Sequence, residues 1–242
     1  MSEQYRRFPQ VLLLGNGLNR VVQSDGWGDL LARIKRNPKI CINDDTYSSL
    51  PYPLLAVLAT NDQVDQAIKE NINLFYGASD DAMEELRPCL QQLLGMGFDD
   101  ILTTNYSYEL ERAADQSVTR EGSNCKKWMR HTEEIISAER KYLLHTYNAV
   151  SYRGINNRVW HIHGEIRKPD SVILGHYYYG KLFSKYQELL NQRGNRQFVL
   201  EQQGKPPIMK SWLDAFLLGD VYVLGFGYDF SEFDLWWLLY GK

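Results

Sequence analysis

Four short apolar runs along the chain end in glycine or asparagine, and a loop or a helical pattern follows each of them. They are QVLLLG at 10–15, DDILTTN at 99–105, RVWHIHG at 158–164 and VYVLGFG at 221–227, with SVIL at 171–174 as a fifth candidate. Near-continuous apolar strands that alternate with helices are typical of a parallel sheet covered on both faces. The pattern therefore predicts an α/β fold in which ligands bind beyond the carboxyl ends of the strands.

Apolar residues at helical spacing predict helices between and after these strands. The predicted helices lie at 27–36, 63–75, 81–97, 131–147, 205–220 and 230–240. Pro88 is expected to kink its helix or to divide it in two, and Ser231 is expected to cap the last helix. Residues 37–53 are predicted to form a loop. We interpret 37–97 and 115–157 as helical insertions into a single nucleotide-binding domain spanning residues 1–242.

The composition permits a large core and gives no sign of a strongly charged partner surface. The 242 residues are 44% hydrophobic and carry a formal net charge of −3, so neither a nucleic-acid surface nor an anionic-membrane surface is predicted. No apolar run is long enough to span a bilayer, the N-terminus lacks the apolar segment of a signal peptide, and we expect a cytoplasmic protein. Cys41, Cys89 and Cys125 are widely separated, so neither a disulfide framework nor a zinc ribbon is predicted.

The first apolar run leads into Gly15-Asn16-Gly17, a turn that allows close approach of the backbone to a phosphate before a predicted helix. The third glycine of the dinucleotide-binding fingerprint is replaced by Arg20, and no acidic residue closes a second strand about 20 residues further on. The loop is therefore either a phosphate site or a tight turn whose glycines serve packing. Asn19 is either a ribose or phosphate ligand or an ordinary turn residue.

Thr103, Thr104 and Asn105 end the second apolar run. Thr104 or Asn105 either caps the helix that follows or lies at the mouth of the sheet, where a carboxamide can bind a ribose hydroxyl or a water. Acidic residues at positions 229, 232 and 234 follow the last run. They either complement a helix dipole, or one of them contacts the ribose on the adenine side of a nucleotide.

Two histidines, His161 and His163, lie in the apolar stretch VWHIHGEI. Alternate residues of a strand share a face, so the two side chains are expected to point the same way. Three interpretations are open: a metal pair, two buried structural imidazoles, or one catalytic histidine beside a supporting one. Two histidines need further ligands to hold a metal, and no third ligand stands out, so no metal is expected.

The order of these motifs along the chain resembles that of the sirtuin family. The matching pieces are GNG at 15–17, TTN at 103–105, HG at 163–164 and VLGFGYDFSEFD at 223–234. Trp27, Leu30 and Leu31 after the first loop, and TTNY followed three residues later by Leu-Glu, are similar to the bacterial sirtuin-like NAD hydrolases of anti-phage defence. The resemblance covers roughly 10–36, 99–113, 158–182 and 221–240.

The resemblance implies a Rossmann-like domain that binds NAD+ as its substrate. Asn105 would orient the nicotinamide ribose or the attacking water, and His163 would be the catalytic histidine. The residues expected to bind NAD+ are Gly15, Asn16, Gly17, Asn19, Thr104, Gly225, Gly227 and Asp229. Gly15 and Gly17 would hold the phosphates, Gly225 and Gly227 would approach the adenosine half, and Tyr228 or Asp229 would replace a serine that the family has in this loop.

Two departures from the family shape the functional prediction. Ser107 stands where sirtuins have an aspartate, and the interval between Asn105 and His163 contains Cys125 alone instead of four zinc-binding cysteines. The resemblance therefore implies cleavage of NAD+ to nicotinamide and ADP-ribose, in an effector that depletes NAD+ in anti-phage defence. The alternatives are a sirtuin-type deacylase or ADP-ribosyltransferase and a non-catalytic sensor of NAD+ or ADP-ribose. The expected partner is a second copy of the chain or a sensor or activator protein.

Overall fold

A six-stranded mixed sheet forms the centre of the protein, in the strand order β3-β4-β5-β2-β1-β6. The computed structural model describes residues 8–22, 26–42, 47, 49–75, 77–114, 129–132, 142–202 and 210–242. The strands are β1 (Gln10–Leu14), β2 (Asp100–Thr103), β3 (Met129–Thr132), β4 (Thr146–Tyr152), β5 (Ile155–His161) and β6 (Asp220–Leu224). The neighbours β5, β2, β1 and β6 are parallel, whereas β3 and β4 run antiparallel. The predicted α/β, Rossmann-like fold is confirmed.

Helices cover both faces of this sheet. They are α1 (Trp27–Ile34), α2 (Tyr52–Ala59), α3 (Val64–Glu70), α4 (Asp80–Gly95), α5 (Glu109–Ala114), α6 (His176–Gln202), α7 (Trp212–Leu218) and α8 (Phe233–Gly241). Short 3-10 helices lie at Asn19–Val21, Ile72–Phe75 and Pro169–Ser171. None of the helices in the described residues combines the length and the apolar character needed to cross a bilayer.

Strand β1 shows why the central strands are continuously apolar. Its side chains alternate between the two faces, and both faces are covered. Leu12 and Leu14 pack into the core under α1 to α4, whereas Val11 and Leu13 pack into the core under α6, α7 and α8. Because β1 and β2 are parallel neighbours, their carboxyl ends lie side by side at one edge of the sheet. The predicted ligand residues lie at this edge.

The second predicted insertion differs from the expectation. In its described part, 115–157 contributes strands β3 and β4 and the start of β5, so a helix at 131–147 is wrong at both of its ends; the middle lies outside the described residues. Strand β4 is half-buried and turns into β5 through Arg153 and Gly154, whose φ angles are +49° and +81°. Two successive positive φ angles are typical of the tight turns that join antiparallel strands.

Smaller differences concern helix and strand ends. Helix α4 continues through Pro88 without dividing, and SVIL forms no strand. Ser231 does not cap α8, which begins after Glu232; its hydroxyl instead accepts from the Tyr52 amide at 3.0 Å. Cys41 and Cys89 are free and exposed, and Cys125 lies outside the described residues.

Candidate functional site

A cleft of about 270 Å³ opens beyond the carboxyl ends of β1 and β2. Its walls come from the loop after β1, from α1, from the segment around 73–78 and from the loop after β2. Among its lining residues are Asn16, Asn19, Trp27, Arg33, Phe75, Thr104, Asn105, Tyr106 and Ser107. The cleft combines aromatic faces with amides, hydroxyls and one guanidinium, a mixture that suits a polar small molecule with a flat ring.

Asn105 is held rigidly at this cleft. Its backbone amide donates to Thr103 Oγ1 at 3.1 Å, and its carbonyl oxygen lies 2.8 Å from His161 Nδ1. The backbone is thus fixed from two sides, while the residue lines the cleft. This arrangement presents the carboxamide at a defined position beyond β2.

His161, the last residue of β5, is buried with an oxygen partner at each ring nitrogen. Its Nδ1 faces the Asn105 carbonyl and its Nε2 faces Glu111 Oε1 at 3.1 Å, so both ring nitrogens must donate. Burial disfavours the charged ring, but the Glu111 carboxylate, aided by Glu165 and the Asn105 carbonyl, outweighs it and raises the pKa to about 9. A ring that donates from both nitrogens cannot act as a base, and His161 instead supports Asn105.

Ser107 lines the cleft, and the buried Glu109 contacts it. Ser107 Oγ lies 2.6 Å from both Glu109 carboxylate oxygens, and Glu109 also accepts from the Ala78 amide at 3.0 Å. Gly77, with φ at +72°, leaves the space that this carboxylate fills. The serine that departs from the sirtuin pattern is therefore backed by a buried acid from the next helix.

The two glycine loops pack against each other. Gly15 donates to the Leu224 carbonyl at 3.0 Å, and Gly17 donates to the Gly225 carbonyl at 2.7 Å. A Cβ at Gly17 would lie 2.6 Å from the same carbonyl oxygen, so close packing requires glycine there. The predicted contact of Gly15 and Gly17 with phosphates stays a prediction, and it requires their amides to exchange partners. The predicted helix after this loop is only the 3-10 turn Asn19–Val21.

His163 lies two residues beyond the end of β5 and is completely buried. Its Nε2 lies 3.1 Å from Asp234 Oδ2, and its Nδ1 lies 3.8 Å from Glu232 Oε2. Tyr179 stands edge-on to the imidazole at 5.3 Å between ring centroids. Burial opposes the charged ring, but Asp234 and then Glu232 raise the pKa of His163 above its ordinary value.

The two histidines do not form a metal pair, because His161 contacts Asn105 and Glu111 whereas His163 contacts Asp234 and Glu232. Ligand atoms of His163, Glu232 and Asp234 do lie within 4.8 Å of one another. However, the two carboxylates meet the imidazole at different nitrogens. A hydrogen bond accounts for the contact at Nε2, and the geometry is that of a charge cluster rather than a closed ligand cage.

His163 does not line the cleft. Trp27 lines the cleft and also borders a narrow space whose other walls include Tyr52, Tyr179 and Glu232, and the last two are neighbours of His163. Trp27 stacks on Tyr52 with ring centroids 6.0 Å apart. The aromatic side chains therefore separate the buried imidazole from the cleft.

The structure brings three of the predicted NAD+-binding residues together with the predicted catalytic Asn105, since Asn16, Asn19, Thr104 and Asn105 line one cleft. Gly15, Gly17 and Gly225 form the loop contact behind it. Gly227 and Asp229 are exposed in the loop after β6 and are not among the lining residues. The sequence reasoning missed Arg33, Glu109 and the acids that contact His163. For the acids that contact His163, the only signal in the sequence was the position of Glu232 and Asp234 shortly after the last strand.

A search with family models found no match to this chain, and a comparison with curated proteins found none either. The sirtuin resemblance therefore rests on the sequence motifs alone.

Proposed function

We propose that this protein is a sirtuin-like NAD+ glycohydrolase that releases nicotinamide and ADP-ribose. The observation that carries the proposal is Asn105, fixed by His161 at the carboxyl end of β2 and lining a cleft with aromatic and amide walls. Ligands of open α/β sheets bind beyond the carboxyl ends of the strands. At about 270 Å³ the cleft is slightly below the range of roughly 300–1,000 Å³ common for small-molecule sites, and it suits one nucleoside half of NAD+.

The reaction places specific demands on these residues. Cleavage of the nicotinamide–ribose bond passes through an oxocarbenium-like state; water adds to the anomeric carbon, nicotinamide leaves with the bonding electrons, and one proton is released. Asn105 orients the water or the ribose, and His163 accepts the proton. Arg33 brings positive charge to the cleft mouth, where it favours an anionic phosphate.

Because His163 does not line the cleft, turnover requires a change in conformation. Trp27 and Glu232 have to move so that the imidazole meets the substrate. A protein held in this closed arrangement is inactive until a partner, a second copy or a ligand opens it. We propose that the biological role is NAD+ depletion during phage infection, and falling NAD+ in infected cells that carry the gene is the corresponding measurement.

The test is chromatographic detection of nicotinamide from NAD+ incubated with purified protein over a range of protein concentrations. Asn105→Ala and His163→Gln are expected to lower the rate by about 10²-fold or more, the scale of a lost acid–base or orienting group. His176→Gln is the matched control, because His176 is an exposed histidine at the start of α6. Equal rates for wild type and His163→Gln would contradict the assignment of the base.

A second candidate is a non-catalytic sensor of NAD+ or ADP-ribose. The complete burial of His163 favours it, since a site without access to its base binds ligand without turnover. Calorimetric binding of ADP-ribose with no nicotinamide release under any activating condition would support the sensor. Release of acyl groups from acylated peptides would instead identify a deacylase.

A further inference from the structure

The buried cluster around His163 contains two acids that come from the start of α8. Asp234 Oδ2 lies 3.1 Å from His163 Nε2 and also accepts from the Tyr186 hydroxyl at 3.2 Å. Both Asp234 and His163 are fully buried. A carboxylate has no proton to donate, so an ionised Asp234 places the proton of this contact on the imidazole nitrogen.

The opposite nitrogen of the same ring is unengaged. His163 Nδ1 and Glu232 Oε2 are both buried and have no hydrogen-bond partner among the described residues. The 3.8 Å between them exceeds a hydrogen bond, and Glu232 also lines the narrow space beside Trp27. Nδ1 is therefore the imidazole atom that faces Glu232, which borders the narrow space that it shares with Trp27.

We propose that Asp234 is the positioning residue of the reaction, because it accepts the Nε2 proton of His163 and so leaves Nδ1 as the basic atom. This inference rests on the proposed function, and it adds which nitrogen acts and which acid selects it. A neutral imidazole carries one proton, and a carboxylate hydrogen-bonded to one nitrogen fixes the tautomer in which the other holds the lone pair. When Nδ1 takes a proton from a ribose hydroxyl or a water, the resulting imidazolium lies between Asp234 and Glu232, which balance its charge.

Asp234 and Glu232 raise the pKa of His163, and three tyrosines lie around these two acids. Asp234 and Glu232 come from α8 and its preceding residue, Tyr179 and Tyr186 from α6, and Tyr106 from the loop after β2. Burial raises the pKa of Glu232 to about 7, although His163 opposes this shift. Glu232 therefore titrates near neutral pH beside the histidine, and its variant must be measured beside that of Asp234.

The experiment combines nitrogen NMR of histidine-labelled protein with the pH profile of NAD+ cleavage. The His163 signals are assigned by their loss in His163→Gln. In wild type we expect the neutral ring to carry its proton on Nε2. In Asp234→Asn we expect His163 to lose its extra proton at lower pH, and kcat to fall by about 10²- to 10⁴-fold with KM changed less than about threefold. Asp234→Glu, which keeps a carboxylate, is expected to restore part of kcat.

Glu232→Gln is expected to shift the profile less than Asp234→Asn, because it lies further from the ring. Asp214→Asn is the matched control, since it removes a buried carboxylate that caps α7 through Ser211. It is expected to lower the melting temperature without moving the pH profile.

Three outcomes overturn the inference. They are a proton on Nδ1 in the neutral wild-type ring, an unchanged His163 titration in Asp234→Asn, and loss of activity to a chelator with recovery on added Zn²⁺ or Mn²⁺, which would make the cluster a metal site. The NMR arm needs no turnover. A wild type that stays inert under every activating condition but shows the expected tautomer therefore contradicts the proposed function while leaving the role of Asp234 in setting the tautomer supported.

Discussion

Replacing Gly15 by alanine tests whether the first glycine loop is built for packing. Gly15 is buried and lies under the loop that follows β6. A Cβ at this position would overlap the Gly225 carbonyl oxygen and lie 2.8 Å from the Phe226 Cα, well inside the 3.4 Å at which ordinary contact begins. All of these neighbours are backbone atoms, so relief requires the two loops to separate.

The magnitude follows from three contributions. Overpacking costs about 1–3 kcal/mol, and separation of the loops removes the Gly17–Gly225 hydrogen bond at a cost of about 1 kcal/mol. Alanine also restricts the unfolded chain, which offsets about 0.4–1 kcal/mol. The free energy of unfolding is therefore expected to fall by about 2–3 kcal/mol, which corresponds to a urea midpoint about 1 M lower.

The assay is urea unfolding followed by circular dichroism, with Gly227→Ala as control. A Cβ at Gly227 has no neighbour within 4 Å, so its stability should stay within about 0.5 kcal/mol of wild type. The control also separates two roles, because a loss of NAD+ affinity in Gly227→Ala would report direct ligand contact. A Gly15→Ala protein as stable as wild type would refute the packing argument.

Two further predictions concern the walls of the cleft. Glu111 raises the pKa of His161 from 6.5 to about 9 against the opposing effect of burial, so the stability gained from this pair is complete below pH 6.5 and is lost as pH rises through about 9. Urea midpoints between pH 6 and 9 should fall by the equivalent of about 2–3 kcal/mol in wild type but not in Glu111→Gln, and parallel curves would contradict the charged ring. Ser107→Asp introduces the aspartate that sirtuins have at this position and places a second carboxylate against Glu109, so it should lower the melting temperature. Adding Glu109→Gln to the same protein should restore the melting temperature, and no recovery would show that repulsion is not the cause.

The parts of the fold that the sequence revealed are its apolar strands. Strands β1, β2 and β5 read as apolar runs because helices cover both sides of the sheet there. Strand β6 lies at the edge of the sheet, and its apolar sequence predicted a strand although Tyr222, Val223 and Leu224 are exposed. Strands β3 and β4 escaped notice because β4 is half-buried and mixes polar with apolar residues. The Arg153-Gly154 turn between β4 and β5 was a local signal for that hairpin, although a weaker one than Asn-Gly.

At the candidate site, too, the sequence predicted what depends on local pattern and not what depends on distant contacts. Asn105 was predictable because strand ends of a parallel sheet converge, which requires no knowledge of distant contacts. The acid on His163 was not predictable in this way, since Asp234 is 71 residues away along the chain and belongs to the opposite side of the site. Likewise, Glu232 was predicted either to complement a helix dipole or to contact a ribose, and its proximity to the imidazole depends on how α8 packs against α6.

The two histidines of VWHIHGEI differ in their hydrogen-bond partners, which their spacing in the sequence does not reveal. His161 ends the strand with an acceptor at each nitrogen, so it must hold two protons and has no lone pair to offer. His163 has left the strand and has an acceptor at Nε2 alone, so it can hold one proton and keep a lone pair at Nδ1. A base needs that lone pair, and a support for Asn105 needs a permanent donor. The hydrogen-bond partners therefore assign the two roles: the histidine with one acceptor can act as a base, and the histidine with two acceptors can only donate.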